Sequence, residues 1–215
     1  MRNGAETQIT IAFIRHGETK SNREHRYLGK TEESLLEEGT LKLHDYKKQR
    51  KYSDVTHLFC SPMKRCLETA GILYPDKMIT IIPEWKEMDF GDFEGKNHIE
   101  LQDDEGYQKW IDSNGTLPFP NGESKEAFTK RCESGFERML RLLLQETDKN
   151  FQKKIIEPGQ NKVAAAIVHG GTIMALLSSF YGGEYFDYQV KNGEGYICTV
   201  SINSKETRIT SIKSI

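Results

Sequence analysis

Apolar and polar positions alternate along the chain with two different rhythms. Short runs rich in β-branched and apolar residues predict strands at Ile9–Ile14, Val55–Cys60, Met78–Ile82, Val163–Val168, Tyr196–Ile202 and Arg208–Ile212. The run VAAAIV is apolar throughout, as suits a central strand covered on both faces. Between these runs apolar residues recur at helical spacing. Helices are predicted over Leu35–Lys48, Pro62–Leu73, Lys125–Gln145 and Thr172–Tyr181. The third carries Phe128, Cys132, Phe136, Met139, Leu140 and Leu143 on one stripe, which reads as core rather than as a cofactor-binding face. Strands alternating with helices predict a layered α/β fold.

Two stretches break the pattern. Residues 85–123 mix Gly, Asp, Asn and Pro with short helical pieces and are expected to form a lid over the sheet. A polar segment, TDKNFQKKIIEPGQNK, is expected to connect the long helix to the Val163 strand. With no repeat and no composition shift, the 215 residues read as one domain with residues 85–123 inserted.

Composition narrows the function classes. Lys+Arg 30 against Asp+Glu 32 gives a formal net charge of −2, without the basic bias of a nucleic-acid binder. No apolar run approaches the roughly 20 residues of a membrane span, and the start MRNGAETQ lacks a signal peptide's apolar region. A cytoplasmic protein is the expectation. Cys60, Cys66, Cys132 and Cys198 form no C-x-x-C pair and read as reduced thiols. None of the six histidines has an i,i+4 partner, so a zinc-hydrolase helix is excluded and no metal is expected. The sequence carries no signal for oligomeric state.

Candidate chemistry collects at four places. In FIRHGET, Arg15 and His16 follow a strand's carboxyl end, where α/β sheets bind ligands. In LFCSPMKRCLETA, Ser61 reads as an N-cap and Pro62 as the first helical residue. That puts Arg65 in the first turn, an unfavourable place for a cation unless an anion sits alongside. In AAIVHGGTIMALL, a second strand ends in His169, and Gly170 and Gly171 let the backbone approach closely at a helix start suited to phosphate. In EWKEMDFGDFEG stand five carboxylates, Glu84, Glu87, Asp89, Asp92 and Glu94, and the residues alone do not choose among them. Two arginines, two histidines and a carboxylic acid describe a phosphoryl-transfer site: guanidiniums for the oxygens, an imidazole nucleophile and a proton donor.

In combination these motifs resemble the histidine phosphatase superfamily, the phosphoglycerate-mutase-like proteins. RHGETKSN, LGKTEESLLEEG, SPMKRCLETA, EMDFGDFEG, PNGESKEAFTKR and IVHGG occur in the family's order across nearly the whole chain. The resemblance implies a three-layer α/β/α sandwich with a mainly parallel central sheet and a small lid insertion. It also implies His16 as the residue phosphorylated, Glu87 as proton donor, and Arg15, Asn22, Arg65, His169 and Gly170 around the phosphate, with no cofactor. The substrate implied is a small phosphorylated metabolite. Mutase relatives carry more basic residues after the acid block, whereas GKNHIELQDDEGYQ offers Lys96 and His98. That favours hydrolysis, with likeness to α-ribazole phosphatases and broad-specificity phosphatases; a mutase-type phosphotransferase or a silent phosphate-binding protein is the alternative. Met174 occupies a place where relatives often carry arginine.

Overall fold

Side chains along a strand alternate between faces, and the first strand shows what each face meets. The computed structural model describes residues 6–150 and 163–215, with residues 146–150 described by backbone alone. In chain order the elements are β1 (Thr7–Arg15), α1 (Lys20–Arg23), α2 (Glu37–Lys48), β2 (His57–Cys60), α3 (Lys64–Leu73) and β3 (Ile79–Ile81). Then come 3-10 turns at Pro83–Trp85 and Gly91–Phe93, α4 (Glu105–Asp112), α5 (Lys125–Asn150), β4 (Val163–Val168) and α6 (Gly170–Phe180). A 3-10 turn at Tyr185–Tyr188 precedes β5 (Gly195–Ile202) and β6 (Thr207–Ser214).

The six strands form one sheet in the order β3-β2-β4-β1-β5-β6. The β3–β2, β2–β4 and β4–β1 pairs are parallel, and β5 is antiparallel to both its neighbours. Ile9, Ile11 and Phe13 of β1 pack with Phe128, Phe136 and Met139 of α5 and Ile173 and Leu176 of α6. Ala12 and Ile14 pack on the other face with Leu43 of α2 and Cys66, Ala70 and Leu73 of α3. The chain is therefore a three-layer α/β/α sandwich with a mainly parallel sheet, and Ala164 to Val168 of β4 are fully buried at its centre.

Residues 85–123 carry none of the six strands and pack chiefly through aromatic rings, with one isolated antiparallel bridge between Arg26 and Asn97. Phe90 meets Phe119 edge-on at 5.0 Å, Trp110 stacks on Phe119 at 4.9 Å, and Tyr27 reaches Phe90 at 5.1 Å. Each such contact contributes about 0.5–1.5 kcal/mol beyond the area it buries. Trp85, fully buried, anchors the segment to α5 by donating its indole N–H to the Cys132 carbonyl at 3.2 Å.

Most strand and helix ends differ from the sequence expectation by one or two residues, and three boundaries are informative. Ser61 and Pro62 do not open α3; Met63 is its N-cap, without a side-chain bond, and the helix begins at Lys64. The Ser61 hydroxyl is drawn instead to His169, 2.8 Å away. α6 starts two residues before the predicted Thr172, directly after His169. The predicted polar connection is helical over 147–150, where α5 continues, and its remainder lies outside the described residues. Among the described residues no helix is long and apolar enough to cross a membrane.

Candidate active site

Three adjacent parallel strands end side by side. The register pairs Arg15 of β1 with Val168 of β4, and Ile167 with Cys60 of β2. The next backbone N–H on each outer strand extends that pairing: His16 donates to the Val168 carbonyl and Ser61 to the Ile167 carbonyl, both at 3.0 Å. His16, His169 and Ser61 thus emerge together at the carboxyl edge of the sheet. The two imidazoles lie 5.3 Å apart between centroids, at 66° to one another.

Hydrogen bonding fixes the tautomer of His16. Its Nδ1 is 2.7 Å from the Gly17 carbonyl, which only accepts, so Nδ1 carries the proton and Nε2 keeps a free lone pair. Burial, followed by the Arg65 and Arg15 charges, holds the imidazole pKa well below its usual value. His16 is therefore neutral near pH 7. His169 is neutral for the same first cause, burial, and then the charge of Arg65.

Arg65 is fully buried and lies in the first turn of α3 as predicted. Its guanidinium donates to the carbonyls of Gly29 at 2.9 Å, Thr31 at 3.0 Å and Leu28 at 3.4 Å. Arg15 donates to the Val190 carbonyl at 2.7 Å. Both retain a buried Nε–H without a hydrogen-bond partner among the described residues. An unpaired buried donor costs about 1–3 kcal/mol, which an anion accepting from it would relieve.

Of the five candidate acids, Glu87 is the one beside the histidines. Its Oε2 is 3.9 Å from His169 Nδ1, and its side chain is 10% exposed. Burial raises its pKa, and the opposing hydrogen bond from the Met88 N–H and the charges of Arg65 and Arg15 do not cancel that. With both imidazoles neutral, the Arg15 and Arg65 guanidiniums supply the positive charge of the pocket, matched to a phosphomonoester dianion.

The other four acids have structural partners. Glu84 pairs with Arg138, Asp89 with Lys30, and Asp92 accepts from Asn121. Glu94 accepts from the backbone N–H groups of Gly29 and Thr31 at 2.9 and 3.0 Å, and so shapes the loop that holds Arg65.

Gly170 and Gly171 are not equivalent. A Cβ on Gly170 would meet Arg15 Nε at an ordinary 3.5 Å, whereas one on Gly171 would lie 2.7 Å from Glu87 Oε1. The close approach expected of both glycines is therefore a property of Gly171. Asn22 belongs to the turn after His16; its Oδ1 accepts from the Thr19 N–H at 3.3 Å and from Asn192 Nδ2 at 2.9 Å.

Sequence reasoning missed several residues that hold the site. Asn192 Nδ2 also lies 3.1 Å from the His16 carbonyl and 3.3 Å from that of Gly17. Thr69 accepts from the Gly17 N–H at 2.9 Å. Arg131 grips the backbone carbonyls of Glu84, Lys86 and Glu87 while pairing with Glu123. Asn192 sits in KNGEG, whose composition signals an ordinary turn, so nothing marked it in the sequence. No group of three or more His, Cys, Asp and Glu side chains among the described residues is placed to hold a metal ion.

The fold and the strand-edge cluster agree with the comparisons. The model of the histidine phosphatase superfamily (branch 1) matches residues 11–214, and the chain belongs to that superfamily. An adenosylcobalamin/alpha-ribazole phosphatase of Salmonella typhimurium is 32% identical over 136 residues, 61% of this chain and 67% of that protein. The solved structure of a putative alpha-ribazole-5'-P phosphatase from Escherichia coli superposes with a TM-score of 0.74 at 24% identity, covering 95% of this chain and 96% of that one. A phosphoserine phosphatase from Entamoeba histolytica, solved with 3-phosphoglyceric acid, gives 0.70 at 26% identity over 96% and 98% of the two chains. Family, relatives and fold make this chain a phosphatase enzyme.

Proposed function

We propose that the chain hydrolyses a small phosphorylated metabolite through a phosphohistidine on His16, with Glu87 as the proton donor. The observation that carries this reading is the His16 ring itself. It is neutral, its Nδ1–H is tied to Gly17, and its Nε2 lone pair is left free beside two arginines with unpaired N–H groups. In the first step Nε2 forms a bond to phosphorus as the bond to the ester oxygen breaks, and Glu87 delivers its proton to that oxygen. Arg15, Arg65 and His169 hold the phosphoryl oxygens, with Asn22 and the first turn of α6 at Gly170 bordering them. In the second step water attacks the phosphorus, Glu87 takes its proton, and inorganic phosphate leaves with the Nε2 lone pair restored. Residues 85–123 act as the lid of this single catalytic domain, with Glu87 on its inner side.

The role of Glu87 is tested with two leaving groups. An alkyl phosphate needs protonation on departure and a p-nitrophenyl phosphate does not. Glu87→Gln should therefore slow the alcohol-releasing step, read as kcat/KM, by about 10²–10⁴-fold for the alkyl ester and far less for the nitrophenyl ester. Equal slowing of both would contradict the assignment. Counting free phosphate against isomerised phosphoglycerate separates hydrolysis from mutase-type transfer.

A further inference from the structure

Three cavities surround the site, and they differ in chemistry. The largest, about 1040 Å³, borders Arg15 and Asn22 and has polar walls that include His25, Lys42, His98 and Lys191. A groove of about 660 Å³ also has Glu87 in its lining, and among its charged walls Lys30 pairs with Asp89 and Arg131 with Glu123. The third is a slot of about 160 Å³ between the 85–123 segment and α6.

The slot is almost wholly apolar. Its walls are Met88, Phe90, Trp110 and Phe119 on one side and Met174 and Tyr185 on the other, with Phe186 half-exposed at the rim. Tyr27, Gly115 and Lys125 also line it, with the Lys125 ammonium 5.7 Å from the centre of the Tyr185 ring, and so do Glu87 and Gly171. The carboxyl that protonates the departing oxygen is therefore part of the slot's wall. Tyr185 is fixed there by donating its hydroxyl to the Gly171 carbonyl at 3.3 Å, and the Trp110 and Phe119 rings stack at 4.9 Å. An apolar cavity of about 150 Å³ accommodates a benzene ring. A polyol chain in the same space would leave hydroxyls without hydrogen-bond partners, which disfavours it.

We infer that this slot receives the alcohol portion of the substrate, and that it selects phosphate monoesters whose alcohol carries a planar, largely apolar ring close to the ester oxygen. Met174 is a specificity-determining residue in this arrangement, because arginine at 174 would place a guanidinium in the slot. The inference rests on the proposed phosphatase reading, in that it takes Glu87 to face the leaving oxygen.

Non-hydrolysable phosphonates read the slot apart from the chemistry. Dissociation constants of 2-phenylethylphosphonate and 2-hydroxyethylphosphonate are measured by calorimetry on the full chain. The phenyl compound should bind at least about tenfold tighter, a preference of the size that a filled apolar pocket gives. Met174→Arg should bring the ratio to about one, and Phe186→Ala, at the exposed rim where folding is not at stake, should lower it. Equal affinities in the wild type, or tighter binding of the hydroxy compound as the polar groove would give, overturn the slot assignment. So does a phenyl preference that Met174→Arg leaves intact. Turnover of the corresponding phosphate esters reports separately: loss of turnover with the phenyl preference retained counts against the phosphatase reading and not against the slot.

Discussion

Glu87 and Gly171 make a sharp local demand on the sequence at the site itself. Glu87 Oε1 occupies the space where a Cβ on residue 171 would stand, and the ring of Phe128 closes the other side at 3.1 Å. Gly171→Ala must displace the carboxyl or the ring. A displacement near 1 Å costs about 10²-fold in rate when the group acts on the reacting atoms. Gly171→Ala is thus expected to lower kcat on an alkyl phosphate by about that factor, with Gly170→Ala, which makes ordinary contacts, costing far less. Steady-state kinetics of the two variants check it. Unchanged kcat in Gly171→Ala would show that Glu87 is not positioned as described.

The loop before α2 shows how one element serves another. Leu28, Gly29 and Thr31 offer carbonyls to Arg65, and Glu94 accepts the N–H groups of Gly29 and Thr31 from the opposite side. Gly29 has no room for a side chain, since a Cβ there would lie 2.1 Å from the Met88 carbonyl. Glu94→Ala removes the acceptor of two backbone donors, a loss of about 1–3 kcal/mol. Arg65 then loses its fixed orientation. Binding of inorganic phosphate, followed by calorimetry, should weaken about tenfold in Glu94→Ala and less in Glu94→Gln, which keeps one acceptor oxygen. An unchanged phosphate affinity would contradict this role. The sequence made the elements legible because periodicity survives in β1, β4 and α5, where burial is one-sided or complete. It made Arg15, His16, Arg65 and His169 legible because each stands in a motif at or just beyond a strand end, whereas the acidic block left five carboxylates open and the family resemblance alone singled out Glu87. Ser61 was misread, since a serine before proline satisfies the rules for a cap while tertiary contact with His169 claims its hydroxyl. Asn192, Glu94 and Arg131 act through backbone groups distant in sequence, and local pattern does not record such partners.

Taken as one molecule, the chain folds around charges it keeps switched off. His16 and His169 are buried neutral with pKa values lowered, chiefly by burial, so below about pH 6.5 the unfolded chain binds protons that the folded chain refuses. Stability falls as pH drops through that range. Glu87 acts in the opposite sense: its pKa is raised, so its stabilising contribution is complete below about pH 4.5 and is lost as pH rises through the folded value. Glu87→Gln removes that one group and leaves the others in place. The Tm of Glu87→Gln should match the wild type near pH 4 and exceed it by a margin that grows as pH rises from about 4.5 through the folded-state value. A constant gap, or one that shrinks with rising pH, would contradict a buried, proton-retaining Glu87.

The central claim is that phosphorus passes through His16 Nε2. The direct measurement is a rapid quench of the enzyme with a ³²P-labelled phosphomonoester, followed by peptide mapping under alkaline conditions, where phosphohistidine survives. The account predicts label on the peptide containing His16, labile to acid, absent in His16→Ala and longer-lived in Glu87→Gln. Turnover by the wild type without any label on His16, or undiminished turnover by His16→Ala, would contradict it.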